Sequence, residues 1–195
     1  EYWGRPNAGR VILVVGQVHG NECSLLRLIQ DLRTFPPDDV GMWLIPTLNP
    51  DGYAAGSRYN ANGVDLNTDG GRTSQPESRA LMRFTEAIEP ILTLHVHTPN
   101  GVIEPYGNSL GYHVARTISV ASGLEYSIAP LRTQWWRWFL WQGQLARVTH
   151  GVALVELYAV SNVEVPNAQP RPPTRSLSAI NTVVTAIVAA IARAV

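Results

Sequence analysis

The run Arg10-Val-Ile-Leu-Val-Val-Gly16 constrains the fold of this chain more than any other feature. Five consecutive apolar residues, mostly β-branched and flanked by glycines, predict a strand covered on both faces, as in a parallel sheet between helical layers. A different period takes over directly afterwards. Across residues 21–35 the apolar side chains Leu25, Leu28, Ile29 and Leu32 recur at helical spacing. The segment His19-Gly-Asn-Glu22 therefore occupies a strand-to-helix turn, where an imidazole and a carboxylate can reach one ion.

A second apolar run, Ile91-Leu-Thr-Leu-His-Val-His-Thr98, carries two histidines that strand alternation places on the same face. Either His95 or His97 can complete a ligand set. His97 is preferred because it lies at the C-terminal end of the strand, where the loops of an open α/β sheet converge on ligands. Two imidazoles and a carboxylate leave one position of a tetrahedral zinc ion open to water, which is a catalytic and not a structural arrangement. A lone histidine is more often a satisfied core or surface residue, so the weight rests on the set. A third run, Val152-Ala-Leu-Val-Glu-Leu-Tyr158, is interrupted by one carboxylate, Glu156. A buried carboxylate is expensive unless paired, so Glu156 is either paired or placed for work, and a raised pKa would suit a general base.

Between these runs the sequence predicts a strand over residues 40–47, a helix over 78–88 with Glu77 suiting its positive end, a short strand over 101–106, and a helix over 112–121 closed by Gly123. Residues 49–76 are rich in Gly, Asn, Asp and Ser and read as one long polar loop, a length that in a compact domain points to function. Four of the six tryptophans fall in Trp135-Trp-Arg-Trp-Phe-Leu-Trp141, as a packing segment or an aromatic wall for substrate. Residues 166–173 form a proline-rich extended connector, and residues 180–195 a C-terminal core helix.

With 195 residues the chain is expected to form a single domain, 1–195. Zero net charge and 15% charged residues argue against a nucleic-acid partner, which needs a concentrated basic surface. All basic residues are arginine, from which no mechanism follows. The lone cysteine, Cys23, excludes an internal disulfide and reads as a small buried apolar residue. No run reaches the roughly 18 apolar residues of a membrane helix. The chain has neither an initiator methionine nor a signal sequence, so we expect it to be trimmed from a longer product, with secretion or the cell envelope as the candidate locations.

In order along the chain, His19-Gly-Asn-Glu22, Asn49-Pro-Asp-Gly-Tyr53, Arg58-Tyr-Asn-Ala-Asn-Gly-Val-Asp-Leu-Asn67, Pro76-Glu-Ser-Arg-Ala80, His97-Thr-Pro99 and Leu154-Val-Glu-Leu157 resemble the motifs of the zinc carboxypeptidase family of the carboxypeptidase A type. Within that family the chain is most similar to the small bacterial murein-peptide amidases. The resemblance implies an α/β fold with a mixed, mostly parallel central sheet and helices on both faces. It implies one zinc ion held by His19, Glu22 and His97, hydrolysis of an amide bond in a small peptide, and Glu156 as the general base that takes a proton from water and passes it to the leaving amine. Arg58 resembles the residue that stabilises the oxyanion, and Asn67 a ligand for the substrate's terminal carboxylate. The chain departs from the pattern at Thr68, where the family has an arginine that clamps this carboxylate; a hydroxyl offers one hydrogen bond in place of a charged, bidentate fork. Arg72, in the glycine-rich stretch that follows, is the candidate to supply the charge. Tyr126 and Tyr158 are the candidates for the tyrosine that larger carboxypeptidases bring over the substrate.

The expected substrate is a short peptide, with a cell-wall stem peptide preferred. Two alternatives stand beside it: an N-acyl amino acid deacylase of the aspartoacylase type, using the same ligand pattern, and a catalytically silent module that binds peptide without cutting it.

Overall fold

Apolar runs become adjacent strands of one sheet. The computed structural model describes residues 1–4, 10–22, 33, 40–98, 102–106, 109–127 and 152–156. Its strands are β1 (Tyr2–Gly4), β2 (Val11–Val15), β3 (Gly41–Ile45), β4 (Leu92–His97), β5 (Val102–Tyr106), β6 (Glu125–Tyr126) and β7 (Val152–Glu156), laid side by side in the order β1-β3-β2-β4-β7-β5-β6. Strands β3, β2, β4 and β7 run parallel to one another. The two flanks reverse direction: β1 is antiparallel to β3, and β5 is antiparallel to β7 with β6 parallel to it. The result is a mixed, mostly parallel sheet, as expected.

The centre is buried for the reason its sequence suggests. Ile12, Leu13, Val14 and Val15 of β2 are all fully buried, and every residue of β4 is buried as well. Burial of each such aliphatic side chain contributes about 1.5–3 kcal/mol before entropy is subtracted. On one face Leu13 and Val15 pack with Val18, Leu48, Leu66 and Leu81, and Trp43, Met82, Phe84 and Ile88 close over them. Parallel pairing sets Leu13 beside Thr93 and Val15 beside His95, which puts His95 and His97 on this same face.

Helix α3 (Pro76–Ile88) covers that face, with proline at its first turn and Ser78, Leu81 and Thr85 turned inward. Helix α4 (Ser109–Ser122) buries Gly111, Val114, Ala115 and Ile118 and packs on β5 and β7. Gly123, at φ +72°, returns its amide to the Ser119 carbonyl at 2.8 Å.

The expected loop over 49–76 is not structureless. It holds two short helices, α1 (Pro50–Ala55) and α2 (Leu66–Asp69), each begun by a side-chain cap: Asn49 accepts from the Gly52 amide and Asp65 from the Asn67 amide. Helices of one turn carry too few residues to display an apolar period, so composition alone suggested a loop. The expected helix over 21–35 is described beyond Glu22 only at Arg33, which is helical. The tryptophan segment, the proline-rich connector, the C-terminal helix and Tyr158 lie outside the described residues. Among those residues no helix is long and apolar enough to cross a membrane.

Candidate metal centre

Strand β2 delivers His19 to the C-terminal edge of the sheet through Gly16, Gln17 and Val18. Gln17 takes a left-handed conformation, φ +45°, that bends the chain at the strand end. Such a conformation is strained for a residue with a side chain and costs about 1 kcal/mol. Hydrogen bonds hold it: Thr47 Oγ1 donates to Gln17 Oε1 at 2.6 Å and the Asn49 amide to the Gln17 carbonyl at 3.1 Å. The turn then closes with the Glu22 amide donating to the His19 carbonyl at 3.2 Å. Gly20 is required inside it, because a Cβ there would collide with the Gly52 carbonyl carbon and the Tyr53 amide. The Asn49-Pro-Asp-Gly-Tyr53 motif thus has a physical task, since the α1 that it starts is the buttress behind the His19 turn.

Three side chains from two strand ends meet there. His19 Nδ1 lies 2.7 Å from Glu22 Oε1, His97 Nδ1 lies 3.2 Å from Glu22 Oε2, and the two Nδ1 atoms are 3.3 Å apart. All three residues are buried, and they form a group whose donor atoms lie within 4.8 Å of one another. Two facing ring nitrogens can share at most one proton, so at least one presents a lone pair. Donors about 2.0–2.1 Å from a tetrahedral zinc ion stand about 3.3 Å apart, which matches the 3.2 and 3.3 Å spacings, while the 2.7 Å between His19 Nδ1 and Glu22 Oε1 is that of a hydrogen bond. Glu22 Oε2 is buried, and the polar atom that faces it among the described residues is His97 Nδ1 at 3.2 Å, as two ligand atoms turned towards one cation would stand. The donor set therefore fits a divalent metal.

The electrostatics follow from that crowding. Burial alone would raise the Glu22 pKa, but hydrogen bonds and charge from His19 and His97 outweigh it and hold the carboxyl down to about 2. Burial would lower the His19 pKa, and hydrogen bonds to Asp65 and Glu22 raise it instead. His95 has no such compensation, so burial, helped by the nearby His97, drives it well below the usual histidine value and keeps the ring neutral.

Asp65 is the residue that sequence reasoning passed over. It lies inside the Arg58–Asn67 motif with no role assigned there, yet it ties that motif to the centre. Its Oδ1 faces His19 Nε2 at 3.2 Å and accepts from the Asn67 amide at 2.9 Å, while Oδ2 accepts from Arg58 Nε at 2.9 Å. Burial works against its ionisation, but His19 and Arg58 hold its carboxyl well below the usual range. A metal-ligating histidine commonly gives its second ring nitrogen to a carboxylate, so a search for such a partner was the available signal.

The other expected site residues fall into place unevenly. Arg58 is half-exposed beside Asp65, and among the described residues its two terminal amino groups have no partner. Asn67 lies half-buried in α2. Thr68 is exposed and donates its hydroxyl to the Asp65 carbonyl at 2.9 Å, bonding back onto its own helix. Arg72 is exposed just beyond α2, and among the described residues its guanidinium has no hydrogen-bond or ion-pair partner. Its loop is pinned by Asp69, whose carboxylate accepts from the Ser74 and Gln75 amides at 3.1 and 3.0 Å. Glu156 ends β7 in register with His97. Tyr126, on edge strand β6, is half-buried.

The sheet order, with a His-Glu-His group at the ends of its central strands, defines the class as a carboxypeptidase A-like α/β fold. Carboxypeptidase A from Helicoverpa armigera superposes with a TM-score of 0.74 at 17% identity, over 97% of this chain and 62% of that one. Murein-tripeptide amidase MpaA from Escherichia coli O157 superposes with a TM-score of 0.65 at 21% identity, over 82% of this chain and 78% of that one. By sequence, murein peptide amidase A of Escherichia coli K12 is 30% identical over 139 residues, 55% of this chain and 57% of the relative. Carboxypeptidase SOL1 of Arabidopsis thaliana is 31% identical over 117 residues, 48% of this chain and 24% of the relative. The chain thus spans little more than half the length of the first of these curated relatives and less of the second. No family model matches the chain. Its relatives by sequence and its neighbours in structure are murein peptide amidases and metallocarboxypeptidases, the group that its motifs resemble.

Proposed function

We propose that this chain is a single catalytic domain that hydrolyses an amide bond in short peptides, with one zinc ion held by His19, Glu22 and His97. The convergence of His19 Nδ1, His97 Nδ1 and the Glu22 carboxylate at 2.7–3.3 Å carries the reading. Zinc in such a site acts as a Lewis acid on the scissile carbonyl and brings the ionisation of water towards neutral pH. Glu156, in register with His97, is the base that accepts the proton of the attacking water and delivers it to the leaving amine. Arg58, fixed through Nε by Asp65, turns its remaining amino groups to the oxygen that gains charge as the carbonyl is attacked.

The substrate end of the site has a different character from that of the family pattern. Thr68 cannot clamp a carboxylate, and its hydroxyl is already engaged with the Asp65 carbonyl. Asn67 supplies a neutral contact, and Arg72 is the cation available to face the substrate's carboxylate. Peptidoglycan stem peptides, which carry such carboxylates, are the preferred substrate class, in keeping with the name of the murein peptide amidase relative.

The test is to incubate zinc-loaded protein with muropeptides and, in parallel, with a panel of N-acyl amino acids, reading products by mass spectrometry. Cleavage of a stem-peptide amide supports the proposal. Cleavage confined to the acyl amino acids moves the chain to the deacylases, and zinc binding without any cleavage makes it a silent binding module.

A further inference from the structure

His95 stands two residues before His97 on β4 and shares its face. It is fully buried, and among the described residues neither of its ring nitrogens has a hydrogen-bond partner. A buried polar atom left unpaired is expensive, and an apolar side chain of similar size would escape that cost. The adjoining β4 residues Leu94 and Val96 are of that apolar kind and are likewise fully buried. An imidazole retained here needs a reason beyond filling the core.

The two ligand histidines suggest one, because they are oriented by different means. His19 has a carboxylate on the nitrogen turned away from the centre, Asp65 at 3.2 Å from Nε2. The corresponding nitrogen of His97, Nε2, is buried and has no hydrogen-bond partner among the described residues. Its Nδ1 meets Glu22 Oε2 at 3.2 Å and His19 Nδ1 at 3.3 Å, but on the far side no polar atom of the described residues holds the ring, so there its orientation depends on the surfaces it meets. His19 meets it edge-on, with centroids 4.9 Å apart and 62° between planes. His95 lies nearly parallel to it, with centroids 6.2 Å apart and 26° between planes. The separation is within the range over which flat rings order one another. Val15, the β2 register partner of His95, is itself fully buried, so the His95 ring is hemmed in at the sheet centre.

We infer that His95 is a positioning residue for His97, its flat ring acting as the wall that turns His97 Nδ1 towards His19 and Glu22. This rests on the reading of His97 as a metal ligand. Its role is mechanical, and a planar side chain of other chemistry should perform it.

Three variants separate this role from simple core filling: His95→Ala, His95→Leu and His95→Phe. For each, zinc affinity is measured by competition with a chromophoric chelator, the visible spectrum of the cobalt-loaded protein is recorded, and the metal-free protein is melted. We expect His95→Ala and His95→Leu to bind zinc about 10–100-fold more weakly, the range found when residues supporting a ligand are removed, and to alter the cobalt spectrum. His95→Phe keeps a flat ring and should restore both. The melt checks that His95→Leu remains folded, in which case a loss of affinity in it belongs to the site. Wild-type affinity in His95→Leu would overturn the inference, as would failure of a folded His95→Phe to do better than leucine. A wild-type protein that binds neither zinc nor cobalt would instead overturn the metal reading itself.

Discussion

The two imidazoles of the centre belong to regions built on opposite principles. His19 sits in a turn held by polar bonds: Asp65 on its Nε2, Arg58 and the Asn67 amide on that same carboxylate, and Glu22 on its Nδ1. His97 sits at the end of a strand buried on both sides, with no hydrogen bond on its Nε2 among the described residues and a neutral His95 behind it. The polar limb couples the centre to the loop that carries Arg58, Asn67 and Thr68. The packed limb couples it to β7 and to Glu156 through the sheet register. On the proposed reading, charge tunes one imidazole and packing aims the other, and each limb has its own way of failing.

The largest expected effect falls on the packed limb's neighbour. Glu156→Gln should lower the rate of amide hydrolysis by about 10²–10⁴-fold, the contribution of a positioned general base, while zinc content stays unchanged. Steady-state rates beside metal analysis check both halves; a variant that loses its zinc would place Glu156 among the supports of the centre instead. On the polar limb, Asp65→Asn keeps the size of the side chain but removes the charge that orients His19. Zinc affinity should drop by about 10–100-fold, and the Arg58 side chain loses its anchor. Unchanged affinity in that variant would show that the polar limb is not what holds His19.

A pH titration of the metal-free protein sharpens the contrast, because its ionisable groups are concentrated on the polar limb. Glu22 is held at about 2 against an ordinary value of 4.5, so its contribution to stability is present above pH 4.5 and is lost as pH falls towards 2. Asp65 acts in the same direction. His19 is raised above 6.5, so its contribution is present below that value and is lost as pH rises past its folded pKa. The melting temperature of the metal-free form should thus be highest in mildly acidic solution and fall on both sides, with a flatter acid limb in Glu22→Gln. The smallest effects belong to the rim. Thr68→Val and Arg72→Gln touch exposed side chains, and each should change stability by no more than about 0.5 kcal/mol, measured by urea denaturation.

What the sequence revealed follows the same division. Strands β2, β3, β4 and β7 were legible within about two residues because each is an apolar run sized to a buried strand, whereas β5, which carries Glu104 and Pro105, was legible only as a short segment. Strands β1 and β6, three and two residues long, leave no pattern, since their existence depends on pairing with β3 and β5. The His-Glu-His group was legible because His19 and His97 follow two neighbouring parallel strands, and strand ends can be read locally. Asp65 was not, because it stands 46 residues from His19 and only the fold brings them together. Helix α2, which Asp65 caps, was hidden for a related reason: a four-residue helix is decided by its cap and its tertiary contacts.

Metal analysis of the purified chain bears most directly on the central claim that these two limbs meet at one ion. Wild-type protein, His19→Ala and His97→Ala would be loaded with zinc, dialysed and assayed for bound metal. One zinc per chain in the wild type and none in either variant is the expected result. A wild type that retains no zinc after loading, or variants that retain it undiminished, would contradict the claim.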